Sequence, residues 1–210
     1  PAGTTTRPRD PLAPKPTTGP QVPGWQVIEL NNGRDFTTDR AYDVPQGWTA
    51  VPGSYLSYGQ GKDLQVYGPA LYKQGYCAAN STAFRALSGV LIEQNKGDIA
   101  VGAAEAAKKV ANVVYLYDHV QPQVEVGAPE SVTVFRSLHG VLVTAKITVT
   151  NTRPDSCISS TALVVVLMVD PNKPGDDTSV CLTALSDQNV PDATSESDLK
   201  RIVTSLHVIA

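Results

Sequence analysis

Charge is scarce in this chain. Only 18% of its 210 residues are Asp, Glu, Lys or Arg, and the formal net charge is −3. The first 24 residues carry Arg7, Arg9 and Lys15 against Asp10, which leaves the remainder mildly acidic at −5. Phosphate binding needs clustered Lys and Arg, so a nucleic-acid partner is not expected. Long apolar runs are lacking too. The longest, residues 162–169, has the length of a strand and falls well short of the roughly 18 consecutive apolar residues of a membrane helix. The chain opens Pro1-Ala2-Gly3 without an initiator Met. The expectation is of a processed chain that meets a membrane only through an N-terminal anchor since removed.

Histidine and cysteine are equally sparse, at three each. His119, His139 and His207 are dispersed, and there is no G-x-S-x-G, no S-x-x-K with its supporting motifs and no G-x-x-x-x-G-K-[ST]. Ser137 close to His139 is read as coincidence, so no catalytic residue is assigned and the chain reads as a non-enzyme. Cys77, Cys157 and Cys181 form no C-x-x-C, and no histidine lies near them, which removes zinc and haem on spacing. The segment from Asp170 to Asp177 gathers four oxygen-bearing side chains that a hard cation could use. Lys173 and the missing terminal Glu argue against an EF-hand, and a turn of this composition needs no metal. Neither metal nor cofactor is expected. Asn80-Ser81-Thr82 fits a glycosylation sequon but reads as a plain polar turn.

What the chain does contain is a fold-forming body behind a proline-rich leader. Seven of the sixteen prolines fall in residues 1–24, among Thr, Gly and basic residues. Such a segment cannot bury enough surface to offset its ordering entropy and is expected to be an extended tether, reaching roughly 70 Å at about 3.1 Å per residue. An interdomain linker of a cytosolic protein is the alternative. Residues 25–210 are the size of one α+β domain. Strands are expected at 25–30, after which Asn31-Asn32-Gly33 signals a tight turn, and in two short pieces around Pro45-Gln46-Gly47. Further strands are expected at 64–72, 84–93, 131–136, 139–150, 162–169 and 180–185. Residues 139–150 alternate, with Val141, Val143, Ala145, Ile147 and Val149 on one face. Residues 162–169 are apolar on both faces, which places them centrally in a covered sheet. Helical spacing of Ile99, Ala103, Ala106, Val110, Val113 and Tyr117 behind an Asp98 cap predicts a helix over 99–117. Ser195-Glu196-Ser197-Asp198 opens an amphipathic closing helix that carries His207 in its last turn. The sum is a mixed, mainly antiparallel sheet with helices on its faces.

Cys77 and Cys157 sit in polar, turn-rich surroundings and Cys181 in an apolar run. Cys77 is expected to pair with Cys157, leaving Cys181 reduced and buried; three free cytosolic thiols are the alternative.

The segment Ala41-Tyr42-Asp43-Val44-Pro45-Gln46-Gly47-Trp48-Thr49 follows an N-terminal hairpin and precedes a sheet, Ala-rich helix, sheet, C-terminal helix order. It resembles the Y-D-[IV]-P-x-G-W opening of PsbP-like α/β/α sandwich domains, in particular exported actinobacterial lipoproteins of the LpqN type. The resemblance spans residues 25–210 and implies a non-catalytic scaffolding or binding module of the cell envelope, with no catalytic motif to carry over. The motif also stands on its own chemistry, because Pro45 and Gly47 make a turn and Trp48 returns to the core.

Three functions remain open: an extracytoplasmic binding or scaffold domain for an envelope protein or lipid partner, a carrier of an apolar envelope molecule, and an enzyme of unrecognised type. For the first, the expected contact surface is the tyrosine-rich segment. Tyr55, Tyr58, Tyr67, Tyr72 and Tyr76 are five of the eight tyrosines, and glycines are interleaved with them. Tyrosine buries large area at low entropic cost and keeps a hydrogen-bonding tip. Half-buried strand positions would account for Tyr67 and Tyr72 without any ligand. No packing demand is evident for Tyr55 and Tyr58.

Overall fold

Alternating and doubly apolar segments become the layers of one sheet. The computed structural model describes residues 18–30, 40–51, 55–59, 63–94, 97–135, 138–152, 157–170 and 178–209. In chain order the elements are β1 (Gln26–Glu29), β2 (Arg40–Val44), β3 (Trp48–Ala50), β4 (Tyr55–Tyr58), β5 (Leu64–Tyr72) and β6 (Ala86–Gln94). After α1 (Ile99–Val114) come β7 (Gln123–Val126), β8 (Glu130–Val134), β9 (Leu138–Thr148), β10 (Thr161–Val169) and β11 (Thr178–Gln188). The chain closes with α2 (Glu196–Thr204) and β12 (His207–Val208).

β10 is the centre. It lies in continuous antiparallel register between β9 and β11, with Val166 opposite Val143 on one side and Thr183 on the other. Every side chain from Val164 to Val169 is buried, at about 1.5–3 kcal/mol for each large apolar group removed from water. The long strands run β5-β6-β11-β10-β9, and each outer edge is completed by two short strands. β3 and β4 share the edge of β5, and β7 and β8 share the edge of β9. Short, interrupted edges offer little template for edge-to-edge association.

Both faces are covered. On one face α1 lays Ala103, Ala106, Ala107, Val110 and Ala111 over Val143, Ala145, Ile147, Val164 and Val166. The small side chains bring the helix close. A Cβ on Gly102 would sit 2.7 Å from Met168 Sδ. On the other face α2 buries Leu199, Ile202 and Val203 against Val165, Leu167, Leu182 and Ala184. A second sheet, β1-β2-β12, packs beside it. Ser205 Oγ accepts from the Asp43 N–H at 2.7 Å and so fastens the end of α2 to β2. Every strand pairing among the described residues is antiparallel, and the fold is α+β with helices on both faces, as expected.

The Pro45-Gln46-Gly47 turn passes the chain from the small sheet to the large one, with Gly47 at φ +90°. Trp48 returns to the core. Ahead of β1, the Val22 N–H donates to Asp43 Oδ2 at 2.7 Å, Gln46 Nε2 donates to the Gly24 carbonyl at 3.1 Å, and the Arg201 guanidinium covers Trp25 at 4.8 Å. Residues 1–17 of the proline-rich segment, the Asn31-Asn32-Gly33 turn, Ser137 and residues 171–177 lie outside the described residues.

Strand ends differ from expectation by a few residues, and both helices stop short of their expected ends. α1 ends at Val114, because Asp118 and His119 adopt φ +50° and +62° in a tight turn bridged from Tyr117 to Val120. His207 leaves α2 altogether. It pairs with Ala41 in β12 and is 1% exposed, its Nδ1 hydrogen-bonded to the Ser205 carbonyl at 2.8 Å. Strands β4, β7 and β12 were not expected; each is at most four residues long and sits on an edge.

Candidate binding cleft

The structure divides the expected tyrosine surface between the two faces of the sheet. Pairing of β4 with β5 sets Tyr55 opposite Tyr67, with ring centroids 5.9 Å apart, and pairing of β3 with β5 sets Trp48 opposite Tyr72 at 5.9 Å. These four rings belong to the α2 side. Tyr58 turns to the α1 side and packs edge-on against Phe84 at 6.3 Å, where burial pushes its hydroxyl pKa up. Tyr67 is 6% exposed and Tyr72 half-buried, as strand packing alone would place them. Tyr55 is 55% exposed.

Beside that pair the sheet forks. Pro69 lacks an N–H, Gly68 takes φ +52°, and the β5–β6 ladder shifts register between Tyr67 and Ala70. Beyond the bulge the ladder stops at Tyr67 opposite Val90. Residues 64–66 continue along β4, while residues 91–94 continue along β11. At the apex stands Gly89, where a Cβ would meet Val66 Cγ1 and lie 3.0 Å from the Tyr67 carbonyl oxygen.

A cleft of about 280 Å³ occupies the fork. Asp63, Gln65 and Tyr67 line it from the β5 side, Ile92 and Glu93 from β6, and Lys109 from α1. Lys109 Nζ donates to Glu93 Oε1 at 3.0 Å, and the Tyr67 hydroxyl donates to Gln65 Oε1 at 2.6 Å. One ion pair, a further carboxylate, an amide, a phenol and an apolar wall therefore meet around one opening. Chemically this is a surface of mixed donors and acceptors with little net charge.

A second polar cluster lies at the other end of the sheet, beside a disulfide. Asp187 is 6% exposed and receives Arg85 Nη1 at 2.9 Å and the Tyr115 hydroxyl. Its own N–H donates to the Arg85 carbonyl at 2.9 Å. Burial pushes the Asp187 carboxyl up to about 6, against the opposing pull of the guanidinium. Tyr115 is raised well above its ordinary value, chiefly by burial. The Arg85 guanidinium covers the Tyr76 ring at 3.7 Å, and the Tyr76 hydroxyl donates to the Cys157 carbonyl. Cys77 and Cys157 are joined, with Cα atoms 5.8 Å apart, and Cys181 is a buried thiol raised by that burial, as expected. These groups satisfy one another, and the cluster ties β6, β11 and the end of α1 to the disulfide loop.

His119 is exposed at its turn, and His139 pairs with Asp170 at 3.0 Å on the surface. Among the described residues no group of three His, Cys, Asp or Glu side chains is placed to hold a metal, and no helix is long and apolar enough to cross a membrane.

A family described as "Domain of unknown function (DUF8017)" matches residues 18–209. The chain belongs to it. The DUF8017 match therefore includes the forked edge, the buried ion pair and the disulfide. Among solved structures, the domain is similar to "Crystal structure of LpqN involved in cell envelope biogenesis of Mycobacterium tuberculosis", with a TM-score of 0.49 and 13% identity over 89% of this chain and 92% of that one. No match was found among curated proteins.

Of the cleft residues in this DUF8017 domain, sequence reasoning had singled out only Tyr67, with Tyr55 at the rim. Asp63, Gln65, Glu93 and Lys109 carry no local signal, since charged and amide side chains are common on strand and helix surfaces. The available signal was Gly68-Pro69 inside an otherwise strand-like run, because a Pro within a strand marks a bulge or an edge. Arg85, Tyr115 and Asp187 stand 30 and 72 positions apart in sequence, and only the topology joins them.

Proposed function

We propose that this domain is a non-catalytic binding module of an extracytoplasmic, envelope-facing protein and that it engages its ligand at the fork between β5 and β6. The observation that carries this reading is the exposed Tyr55 ring, paired with Tyr67 beside a preformed polar cleft. Pockets that hold ligands combine an aromatic or apolar wall with a few placed polar groups, and a preformed cleft avoids the cost of ordering a surface on binding.

The Cys77–Cys157 disulfide supports the compartment, because such bonds persist in oxidising surroundings and are rare in the cytosol. The proline-rich composition of residues 1–24 supports a spacer that holds the domain away from its anchor.

Co-sedimentation with envelope fractions of the source organism tests the reading. The wild-type domain is expected to pellet saturably with one fraction, and a Tyr55→Ala, Lys109→Ala double variant with unchanged melting temperature is expected to stay in the supernatant. Equal pelleting of the two proteins, or pelleting of neither, would reject it.

A further inference from the structure

Resting on that reading, we propose that the fork is a carbohydrate site that takes a neutral oligosaccharide, one end seated in the cleft and the next ring laid across Tyr55.

The charge balance narrows the ligand first. Asp63, Glu93 and Lys109 are the charged residues of the lining, and Lys109 is paired to Glu93 at 3.0 Å. A net charge of −1 from these three groups does not select an anion such as a phosphate or a polycarboxylate. A strongly cationic ligand is not selected either, because one of the two carboxylates is already neutralised.

What the fork offers instead is a dense alternation of donors and acceptors. The Lys109 ammonium donates, the Asp63 and Glu93 carboxylates accept, the Gln65 amide does both, and the Tyr67 phenol is held by Gln65 Oε1 at 2.6 Å. Sugar hydroxyls each donate and accept, so a polyhydroxyl ligand can satisfy such a set without carrying charge.

The aromatic rim supplies the second half of the recognition. A pyranose ring presents a face of C–H bonds bounded by hydroxyls, and that face packs on an aromatic ring. Tyr55 is 55% exposed on an edge strand and packs side by side with Tyr67, its cross-strand neighbour, with ring centroids 5.9 Å apart. Ile92 gives the cleft an apolar wall for the same purpose. At about 280 Å³ the opening lies just below the usual range of ligand pockets, which begins at roughly 300 Å³. That size suits one or two sugar rings inside and the remainder of a chain outside.

Titration of the ¹⁵N-labelled domain with chitotetraose, maltotetraose and mannotetraose, alongside tetralysine and tetraaspartate, tests the inference. At least one neutral tetrasaccharide is expected to shift the amides of Tyr55, Gln65, Ile92 and Glu93 saturably. Tyr55→Ala is expected to weaken that binding at least about tenfold, whereas Tyr55→Phe, which keeps the ring, retains it. If no tetrasaccharide moves these amides at millimolar concentration, or if Tyr55→Ala binds as wild type, the carbohydrate assignment fails. Shifts at the same amides from tetralysine or tetraaspartate alone would overturn the sugar and leave the binding role standing. Loss of envelope co-sedimentation in the wild type would remove both.

Discussion

At the scale of single residues, the sharpest constraint is the carboxyl of Asp187. Burial raises it to about 6 from an ordinary 3.8, with the Arg85 guanidinium and the Tyr115 hydroxyl pulling the other way. Because the folded value lies above the unfolded one, folding favours the protonated form. The contribution to stability is fully present below 3.8 and is lost as pH rises through about 6. Asp43 is also raised by burial and adds with the same sign. The expected outcome is a urea midpoint that falls between about pH 4 and about pH 7, with a shallower fall in Asp187→Asn. In a ¹³C titration, Arg85→Gln is expected to move the Asp187 midpoint above its wild-type position. An unmoved or lowered midpoint would mean that the guanidinium is not what restrains this carboxyl. None of this was legible in the sequence. Asp187 and Arg85 are ordinary surface-type residues until β6 and β11 set them side by side.

At the scale of elements, legibility followed period and length. The uninterrupted alternation of β9 and the doubly apolar β10 were read correctly because their core contacts repeat along the whole strand. Both helix starts were read as well, since Asp98 accepts from Ala100 N at 2.8 Å and Ser195 Oγ from Asp198 N at 3.0 Å. Ser195→Ala is expected to cost about 1 kcal/mol in chemical denaturation without altering the cleft. β4, β7 and β12 escaped, because two to four residues carry no usable period and edge burial depends on the partner strand. The fork is an element-scale feature of the same kind, made by Gly68-Pro69 on β5 and the bare Gly89 on β6. Gly89→Ala would press a methyl group onto Val66 and the Tyr67 carbonyl. A loss of about 1–3 kcal/mol is expected, together with chemical-shift changes at Tyr67 and Ile92. A fully stable Gly89→Ala with an unperturbed fork would show that the apex is looser than described.

At the scale of the whole molecule, two clusters at opposite ends of one sheet divide the work. The ion pair and the disulfide fasten one end, and the fork opens the other. The disulfide spans 80 residues, and removing it as Cys77→Ser, Cys157→Ser is expected to cost about 4 kcal/mol in the chain-entropy description. Ligand binding at the fork is expected to survive in the fraction that remains folded. Class, layer order and cysteine pairing were legible in the sequence because they rest on pattern and composition. The cleft was legible only as a tyrosine-rich segment. The Gly68-Pro69 bulge puts Tyr67 and Tyr72, five positions apart, on one face, and Tyr58 fell to the opposite side because it stands three positions from Tyr55 on the same strand. The account's central claim is that ligand meets the domain at this fork and not at the far edge of the sheet. Site-specific photo-crosslinking measures this most directly, with p-benzoylphenylalanine placed at Tyr55 or, as a control on β7, at Glu125, and the protein exposed to intact envelope. The account predicts an envelope adduct from position 55 and none from position 125. Equal adducts from both positions, or an adduct from 125 alone, would contradict it.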